Sequence, residues 1–302
     1  MAQQDIVFDL GGMRFRAGLV DDAGKVTAPV AFDSPTDPDE VVEHIRRIVD
    51  SYAFALHDPA IGIAIGGMVE TNGNVTAGTM NMFDFPLAER LALKRPVTVI
   101  NDAKAAALAE ARYNPRLADK KSFVLLTVSA GIGGGIVIDG DLYPGHSGTA
   151  GEVGHMIIDR GQDFYCRLGH RGCLDALASA RALNNRMMHL WRAGHWSQFE
   201  HGLTLDDLPP LLAAGDGLAL RLMREAGMWL GAGVMQLIRV IDPCEVVFKG
   251  YLMTSLWEYL EPAIADVLAG YDRRIPMSLS VLGEHVGLVG AGLAARQDRI
   301  AV

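Results

Sequence analysis

The sequence is poor in cysteine, in long apolar segments and in basic residues. Its 302 residues include three cysteines, Cys166, Cys173 and Cys244, which excludes a disulfide scaffold and is typical of the reducing cytoplasm. There are 27 basic against 36 acidic residues, and the formal net charge is −9. Such a chain is a poor partner for nucleic-acid phosphates or anionic lipids. We therefore expect a cytoplasmic protein that binds neither nucleic acid nor membrane.

The longest uncharged stretch, 122–138, is short for a membrane helix and is interrupted by four glycines. A pair of strands broken by glycine is the better interpretation. The first nine residues have no basic flank and no apolar core of the length found in secretory signals. They begin almost at once with a predicted strand.

Glycine is abundant, with 34 residues, and it marks an internal duplication. The chain starts with a strand at 5–9, a turn at Gly11-Gly12 and a return strand at 13–20. The same plan recurs as a strand at 123–128, a turn at 130–135 and a return strand at 136–138. A separation of about 120 residues indicates two similar half-molecules rather than a short-period repeat.

Other elements follow from periodicity and from Gly and Pro signals. For the first helix, Thr36 and Asp39 fit a capping box. We expect helices at about 38–56, 102–113, 220–241 and 287–298, and strands at 61–65, 97–100 and 245–248.

A single glycine hairpin is most simply a tight turn. Two of them in one chain favour a clamp whose backbone N–H groups hold a polyphosphate from both sides, because glycine lets the phosphate approach. Neither segment is a P-loop or a dinucleotide fingerprint, since a strand follows each turn where a helix is required. Asp9, beside the first turn, is placed to hold Mg²⁺ through water. The phosphate candidates are Gly11, Gly12, Gly131, Gly133 and Gly134.

Asn101-Asp102 stands where a strand ends and a helix begins. One interpretation is a helix N-cap, which is common for both residue types. The other is a carboxylate at the mouth of a ligand cleft, kept ionised by the helix dipole and able to accept a proton from an alcohol. Spacing alone leaves the two interpretations open.

His155, Cys166 and Cys173 form a short His/Cys segment. Zinc is one interpretation, and a satisfied histidine with two buried thiols is the other. A tetrahedral site needs four ligands, and His170 is a further candidate.

These pieces, in this order, resemble the ROK family of bacterial sugar kinases and related repressors. The resemblance covers nearly the whole chain. It rests on Asp9-Leu10-Gly11-Gly12, Asn101-Asp102, the glycines at 131–135, Glu152 with Gly154-His155, and Gly172-Cys173-Leu174-Asp175.

The resemblance implies an α/β protein of the actin-like ATPase (ribonuclease H-like) fold, with two similar lobes and a central cleft for Mg-ATP and a hexose. The implied lobes are 1–117 plus the C-terminal helix 287–302, and 118–286. Asp102 would be the catalytic base and Gly250 would lie near the adenosine, while His155, Cys166 and Cys173 would hold zinc. Sugar contacts are implied for Asn101, Glu152, His155, Asp175, Asn81 and Gly67.

The chain departs from the family pattern at several places. Met13 replaces a threonine that would contact phosphate, and Ser129-Ala130 replaces a Gly-Thr pair. Leu168 replaces a cysteine, so the resemblance leaves zinc one ligand short and predicts substoichiometric metal. Asp175 replaces a glutamate and is shorter by one methylene, and Lys249 stands where glycine is common.

Three functions compete. The first is a kinase for a hexose or an N-acetylhexosamine, and the second is a sugar-binding sensor without catalysis, motivated by Met13, Ala130 and Leu168. The third is a repressor. Repressors of the family that the chain resembles carry an N-terminal helix-turn-helix region, and we disfavour this function because the first phosphate motif begins nine residues into the sequence and leaves no room for that region. The long apolar helix at 220–241 makes a homodimer the expected assembly.

Overall fold

The computed structural model describes residues 3–54, 56–196, 199, 202–271 and 273–300, without the side chains of 298–300. The strands are β1 (Gln4–Leu10), β2 (Arg14–Asp21), β3 (Val26–Asp33), β4 (Ile61–Ile65), β5 (Met68–Val69), β6 (Val75–Ala77), β7 (Met82–Phe85), β8 (Val97–Asn101), β9 (Phe123–Val128), β10 (Ile132–Ile138), β11 (Asp141–Leu142), β12 (Val246–Lys249) and β13 (Met277–Leu279). The helices are α1 (Pro38–Ala53), α2 (Leu87–Leu91), α3 (Asp102–Tyr113), α4 (Leu174–Ala178), α5 (Ala180–Arg192), α6 (Leu208–Ala213), α7 (Gly217–Ile241), α8 (Tyr251–Leu268) and α9 (Val286–Ile300).

Two five-stranded sheets share one topology. The first has the order β3-β2-β1-β4-β8 and the second the order β11-β10-β9-β12-β13. In the first, β1 pairs antiparallel with β2 and parallel with β4, and β4 is parallel to β8. In the second, β12 is parallel to both β9 and β13. The shared strand order agrees with the duplication that the two glycine hairpins predict.

The chain divides into two compact units. Unit 1 comprises Met1–Ser122, Gly135–Gly151 and Ser280–Val302, and unit 2 comprises Phe123–Gly134 and Glu152–Leu279. These boundaries differ from those of the lobes that the sequence predicts, because segments 118–122, 135–151 and 280–286 fall in unit 1. The sheet β5-β6-β7 also belongs to unit 1.

Each unit has its own apolar core. In unit 1, β4 is buried at all five positions, as is usual for a parallel strand covered on both faces. The helix α9 packs there, with Ala291 against Gly62 of β4 and Gly290 against the backbone of Ala105 in α3. In unit 2, the buried face of α7 carries Leu222, Ala226, Leu230, Val234 and Leu237 at helical spacing.

The first helix begins at Pro38 as predicted, but its N-cap lies one residue later than predicted. Asp37, not Thr36, is the N-cap, and its Oδ1 accepts hydrogen bonds from the backbone N–H groups of Asp39 (2.8 Å) and Glu40 (3.1 Å). Pro38 takes the first helical position, where its missing N–H costs nothing, and this places the cap at the residue before it. The predicted Thr36–Asp39 capping box is therefore wrong.

The second return strand is longer than predicted. β10 starts at Ile132, so Gly133 and Gly134 are strand residues rather than members of the turn. The glycines suggested a turn because they weaken strands, but close packing requires some of them here. A Cβ at Gly135 would lie 2.4 Å from Cβ of Ala107 in α3, so the helix packs directly against the strand backbone.

Among the described residues, none of the helices combines the length and the apolar character that a bilayer-spanning segment needs.

Candidate active site

In unit 1, the first glycine turn closes the β1–β2 hairpin. The N–H of Gly11 donates to the carbonyl of Arg14 at 2.9 Å. Asp9, near the end of β1, is only 6% exposed and lies 3.7 Å from the guanidinium of Arg16. Gly287 of α9 packs against it, since a Cβ there would lie 2.6 Å from Oδ2 of Asp9. The turn thus places a buried carboxylate beside a glycine pair.

The strand-to-helix junction separates the two roles that the sequence left open at Asn101-Asp102. Asn101 is the N-cap of α3, with Oδ1 accepting from the N–H groups of Ala103 (3.0 Å) and Lys104 (3.1 Å). Its Nδ2 donates to the carbonyl of Gly67 at 2.9 Å. Both ends of the Asn101 side chain therefore bond to backbone.

Asp102 occupies the first turn of α3. Its Oδ1 accepts from the N–H of Ala103 at 2.8 Å, and a Cβ at Gly66 would lie 3.5 Å from its Oδ2. The positive end of the helix dipole favours the ionised carboxylate at this position. Asp102 is partly exposed.

Gly67 and Asn81 are both tied to neighbouring backbone in unit 1. A Cβ at Gly67 would lie 2.5 Å from the carbonyl oxygen of Thr76 in β6, so only glycine fits there. Asn81 adopts a left-handed backbone with φ of 51°, and its Nδ2 donates to the carbonyl of Thr36 at 3.0 Å. Sugar contacts by these two residues stay a prediction.

In unit 2, the second glycine turn runs from Ser129 to Gly131. The N–H of Ser129 donates to the carbonyl of Gly131, and the N–H of Ala180, at the start of α5, donates to the carbonyl of Ser129, both at 2.9 Å. On the other side, the N–H of Ile132 donates to Oδ1 of Asp175 at 2.9 Å. Two neighbouring helices, α4 and α5, therefore hold this turn.

Two more glycines shape the surroundings of the second turn. A Cβ at Gly154 would lie 2.0 Å from the carbonyl oxygen of Ile132. Gly250, with φ of 110°, lies against the carbonyl of Val128 at the end of β9, 2.3 Å from where a Cβ would be. A side chain at either position would push the adjoining backbone away.

Unit 2 also carries the predicted sugar ligands. Glu152 directly precedes a 3₁₀ turn, Val153–His155, and Asp175 lies in α4. Burial lowers the pKa of His155, an effect that nearby Asp175 opposes and that His170 and Arg181 reinforce. Asp175 is only 5% exposed and forms an ion pair with Arg181.

Four side chains of unit 2 converge on a candidate metal centre. One ligand atom from each of His155, Cys166, His170 and Cys173 lies within 4.8 Å of all the others. Nδ1 of His155 is 3.7 Å from Sγ of Cys166, close to the separation of about 3.6 Å expected for tetrahedral N and S ligands of one zinc ion. Burial raises the pKa of the Cys173 thiol to about 11. Two imidazoles and two thiols suit zinc, so these residues fit the ion.

His170 corrects the ligand count that the sequence predicts. Leu168, at the position of the absent cysteine, is 49% exposed and is not part of the group. The hairpin from Tyr165 to Arg171, closed by a bridge between those two residues, turns His170 towards His155, with ring centroids 4.9 Å apart. Three ligands were predicted, and the structure brings four together.

Arg181 is a residue of this site that the sequence did not predict. It lies in the first turn of α5, and its guanidinium bonds to Oδ2 of Asp175. A basic residue six positions after an acidic one is no signal by itself, because α4 ends at Ala178 and a new helix starts two residues later. The pairing depends on the angle between two helices.

The comparisons with known proteins agree with one another. The ROK family model matches residues 6–298. N-acetylmannosamine kinase from Citrobacter koseri is 29% identical to this chain over 97% of its length and 99% of the relative.

Two solved structures are similar over nearly the whole chain. The ROK hexokinase from Thermus thermophilus is 31% identical, covers 99% of this chain and 100% of its own, and superposes with a TM-score of 0.83. The ROK glucokinase from Streptomyces griseus, in complex with glucose and AMPPNP, is 27% identical, covers 97% and 99%, and has a TM-score of 0.85. The chain therefore belongs to the ROK family and has the actin-like ATPase fold.

Proposed function

We propose that this protein transfers the γ-phosphoryl group of Mg-ATP to a hydroxyl of a hexose or an N-acetylhexosamine. The observation that carries the proposal is the position of Asp102. It is a partly exposed carboxylate in the first turn of α3, with one oxygen bonded to the N–H of Ala103. The relatives support the reaction class, since they are described as a hexokinase, a glucokinase and an N-acetylmannosamine kinase.

Asp102 is the proposed catalytic base. Its carboxylate can accept a hydrogen bond from an acceptor hydroxyl and take its proton as the phosphoryl group transfers, and the N–H of Ala103 and the helix dipole stabilise negative charge there. Phosphoryl transfer needs little covalent chemistry from the protein, so aiming the hydroxyl is the main task of this residue. Asn101, bonded at both ends, fixes the start of the helix and so the position of Asp102.

The glycine turns are the proposed phosphate contacts. Gly11 and Gly12 belong to the first turn, and Gly131 belongs to the second. Backbone N–H groups there would donate to phosphate oxygens without side chains in the way. Asp9, buried beside the first turn, is the proposed anchor of the Mg²⁺ hydration shell. Gly250 is the proposed adenosine neighbour.

Glu152 and His155 are the proposed sugar ligands of unit 2. Both lie in one short segment around a 3₁₀ turn, and burial lowers the pKa of His155, which keeps its imidazole neutral near pH 7. The free ring N–H of a neutral imidazole donates and a carboxylate accepts, which together suit vicinal hydroxyls.

Zinc is the proposed stabiliser of this segment, held by His155, Cys166, His170 and Cys173. The ion would supply structural cross-linking of the hairpin that ends at α4, and no chemistry of the transfer step. With Nδ1 of His155 on the side of Cys166, the other ring nitrogen is the one we assign to a sugar hydroxyl.

An ADP-release assay over a panel of sugars tests the kinase proposal. We expect turnover with at least one of glucose, N-acetylglucosamine and N-acetylmannosamine, and only a background rate without sugar. Absence of turnover on every sugar, with a protein that melts cooperatively, would contradict it.

A sugar sensor of the same fold is the second candidate. It is favoured by Met13, which is 64% exposed in the first glycine turn and supplies no hydroxyl for a phosphate. Calorimetry separates the two: a sensor binds sugar but not Mg-AMPPNP, whereas a kinase binds both.

A further inference from the structure

The second glycine turn is held in place by the helices that follow the candidate metal hairpin. The carbonyl of Ser129 accepts from Ala180 of α5, and the N–H of Ile132 donates to Asp175 of α4. Asp175 also fills the space beside the turn, since a Cβ at Gly131 would lie 3.0 Å from its Oδ1. One carboxylate therefore sets both the direction of a backbone N–H and the room around the central glycine.

Both oxygens of Asp175 are engaged. Oδ1 accepts from Ile132, and Oδ2 accepts from the guanidinium of Arg181. The carboxylate side chain is 7% exposed and that of Arg181 26% exposed. A buried carboxylate with an ion pair and a backbone donor is strongly held, because moving it would leave its charge without compensation.

We propose that Asp175, locked by Arg181, is a positioning residue for the phosphate turn at Ser129–Ile132. The proposal rests on the proposed function, in which this turn contacts the nucleotide. Between the anchored ends of the turn lie the amides of Ala130 and Gly131, which we expect to face a phosphate group. Arg181 acts indirectly, because it forms an ion pair with the carboxylate that accepts the N–H of Ile132.

Binding measurements on single variants test this positioning role. Calorimetry on the full chain would measure the Kd of Mg-AMPPNP alone and, separately, the Kd of whichever of glucose and N-acetylmannosamine the wild type binds. We expect Asp175→Ala to raise the Kd of Mg-AMPPNP about tenfold, the loss expected for one charge-assisted hydrogen bond.

Two milder variants separate positioning from folding. Asp175→Asn keeps an acceptor for Ile132 but loses the ion pair, and Arg181→Met loses the ion pair alone, so both should raise the nucleotide Kd less than Asp175→Ala. Arg181→Lys should restore most of the nucleotide affinity that Arg181→Met loses. Arg186→Met is the matched control, because Arg186 lies on the same helix and pairs with Glu225 rather than with the turn. It should leave the Kd of Mg-AMPPNP unchanged.

The opposite pattern would overturn the proposal. Loss of sugar binding in Asp175→Ala with an unchanged nucleotide Kd would make Asp175 a sugar ligand, and unchanged values for both ligands would remove its role in the turn. The readout is equilibrium binding, so it decides the role of Asp175 even if the wild type turns over no sugar. If Asp175→Ala does not fold, the comparison of Arg181→Met with Arg181→Lys decides in its place.

Discussion

At the scale of single residues, Asp102 is the side chain whose loss should matter most for turnover. Asp102→Asn keeps the size and the hydrogen bond to Ala103 but cannot accept a proton. We expect kcat to fall by about 10²-fold or more, with sugar Kd changed by less than about threefold. Steady-state kinetics and calorimetry on one preparation measure the two effects, and near-normal kcat would show that another group is the base.

The metal ligands can also be tested one residue at a time. We expect one zinc per chain, because His170 joins the other three side chains. The family resemblance, with Leu168 in place of a cysteine, predicts a substoichiometric content instead. His170→Ala should lower the zinc content of purified protein well below one per chain and lower the melting temperature. Elemental analysis measures the content, and the absorption spectrum of the cobalt-substituted protein reports the ligand set.

Leu168→Ala serves as the control for that experiment, because Leu168 is half exposed and outside the group. It should retain full zinc and a cobalt spectrum typical of two thiolates. Full zinc in His170→Ala with an unchanged cobalt spectrum would remove His170 from the site.

At the scale of elements, α7 begins with a cap whose contribution depends on pH. Oδ1 of Asp216 accepts from the N–H groups of Leu218 (3.0 Å) and Ala219 (2.9 Å), and Trp196 donates to Oδ2. The bond from Ala219 is the main reason why the pKa of Asp216 is lowered, with Trp196 and Leu218 adding to it against partial burial. A lowered pKa means that this stabilisation is present above the ordinary pKa of an aspartate and is lost as the pH falls through the lowered value.

We therefore expect Asp216→Ala to reduce the free energy of unfolding by about 1 kcal/mol at pH 7. The difference from wild type should be smaller at pH 3 than at pH 7, because the stabilisation is lost as the pH falls through the lowered pKa. Asp216→Asn, which keeps an acceptor, should cost less. Urea unfolding at both pH values measures this, and an equal difference at pH 7 and pH 3 would argue against a charged cap.

The contact between α7 and α8 depends on Gly227 and Gly231 of α7. A Cβ at Gly227 would lie 2.7 Å from both Cβ of Ala263 and the carbonyl of Leu260, whereas a Cβ at Gly217, at the start of α7, has nothing within 4 Å. Gly227→Ala should destabilise by about 1–3 kcal/mol through overpacking, although alanine favours helix. Gly217→Ala should be neutral or stabilising by up to about 1 kcal/mol. Thermal melts of the two variants measure the difference. Equal effects would mean that α8 can shift to accommodate a methyl group at position 227 without a cost in stability.

Local patterns predicted the elements well where local physics decides them. The strand-to-helix change at Asn101-Asp102 and the apolar face of α7 both follow from neighbours in sequence. The start of β10 at Ile132 was missed, because glycines there serve close packing against a distant segment. The same holds for His170 and Arg181, whose roles depend on how a hairpin and two helices are placed.

At the scale of the whole molecule, the duplicated hairpin predicted the architecture. Two sheets with one topology follow from two copies of a strand-turn-strand pattern. The match of the ROK family model to residues 6–298 agrees with this architecture. The boundaries between the units were less predictable, because the chain passes from unit 2 to unit 1 within β10 and returns at Glu152. A break inside a strand leaves no change in composition to detect.

The most direct measurement follows the phosphoryl group itself. Wild-type protein and Asp102→Asn would be incubated with Mg-ATP and the preferred sugar, and the products identified by mass spectrometry. We expect wild type to form sugar monophosphate and ADP in equal amounts, and the variant to form almost none while still binding the sugar. Sugar that stays unmodified in the presence of folded, metal-loaded wild-type protein and every acceptor of the panel would contradict the assignment of this chain as a sugar kinase.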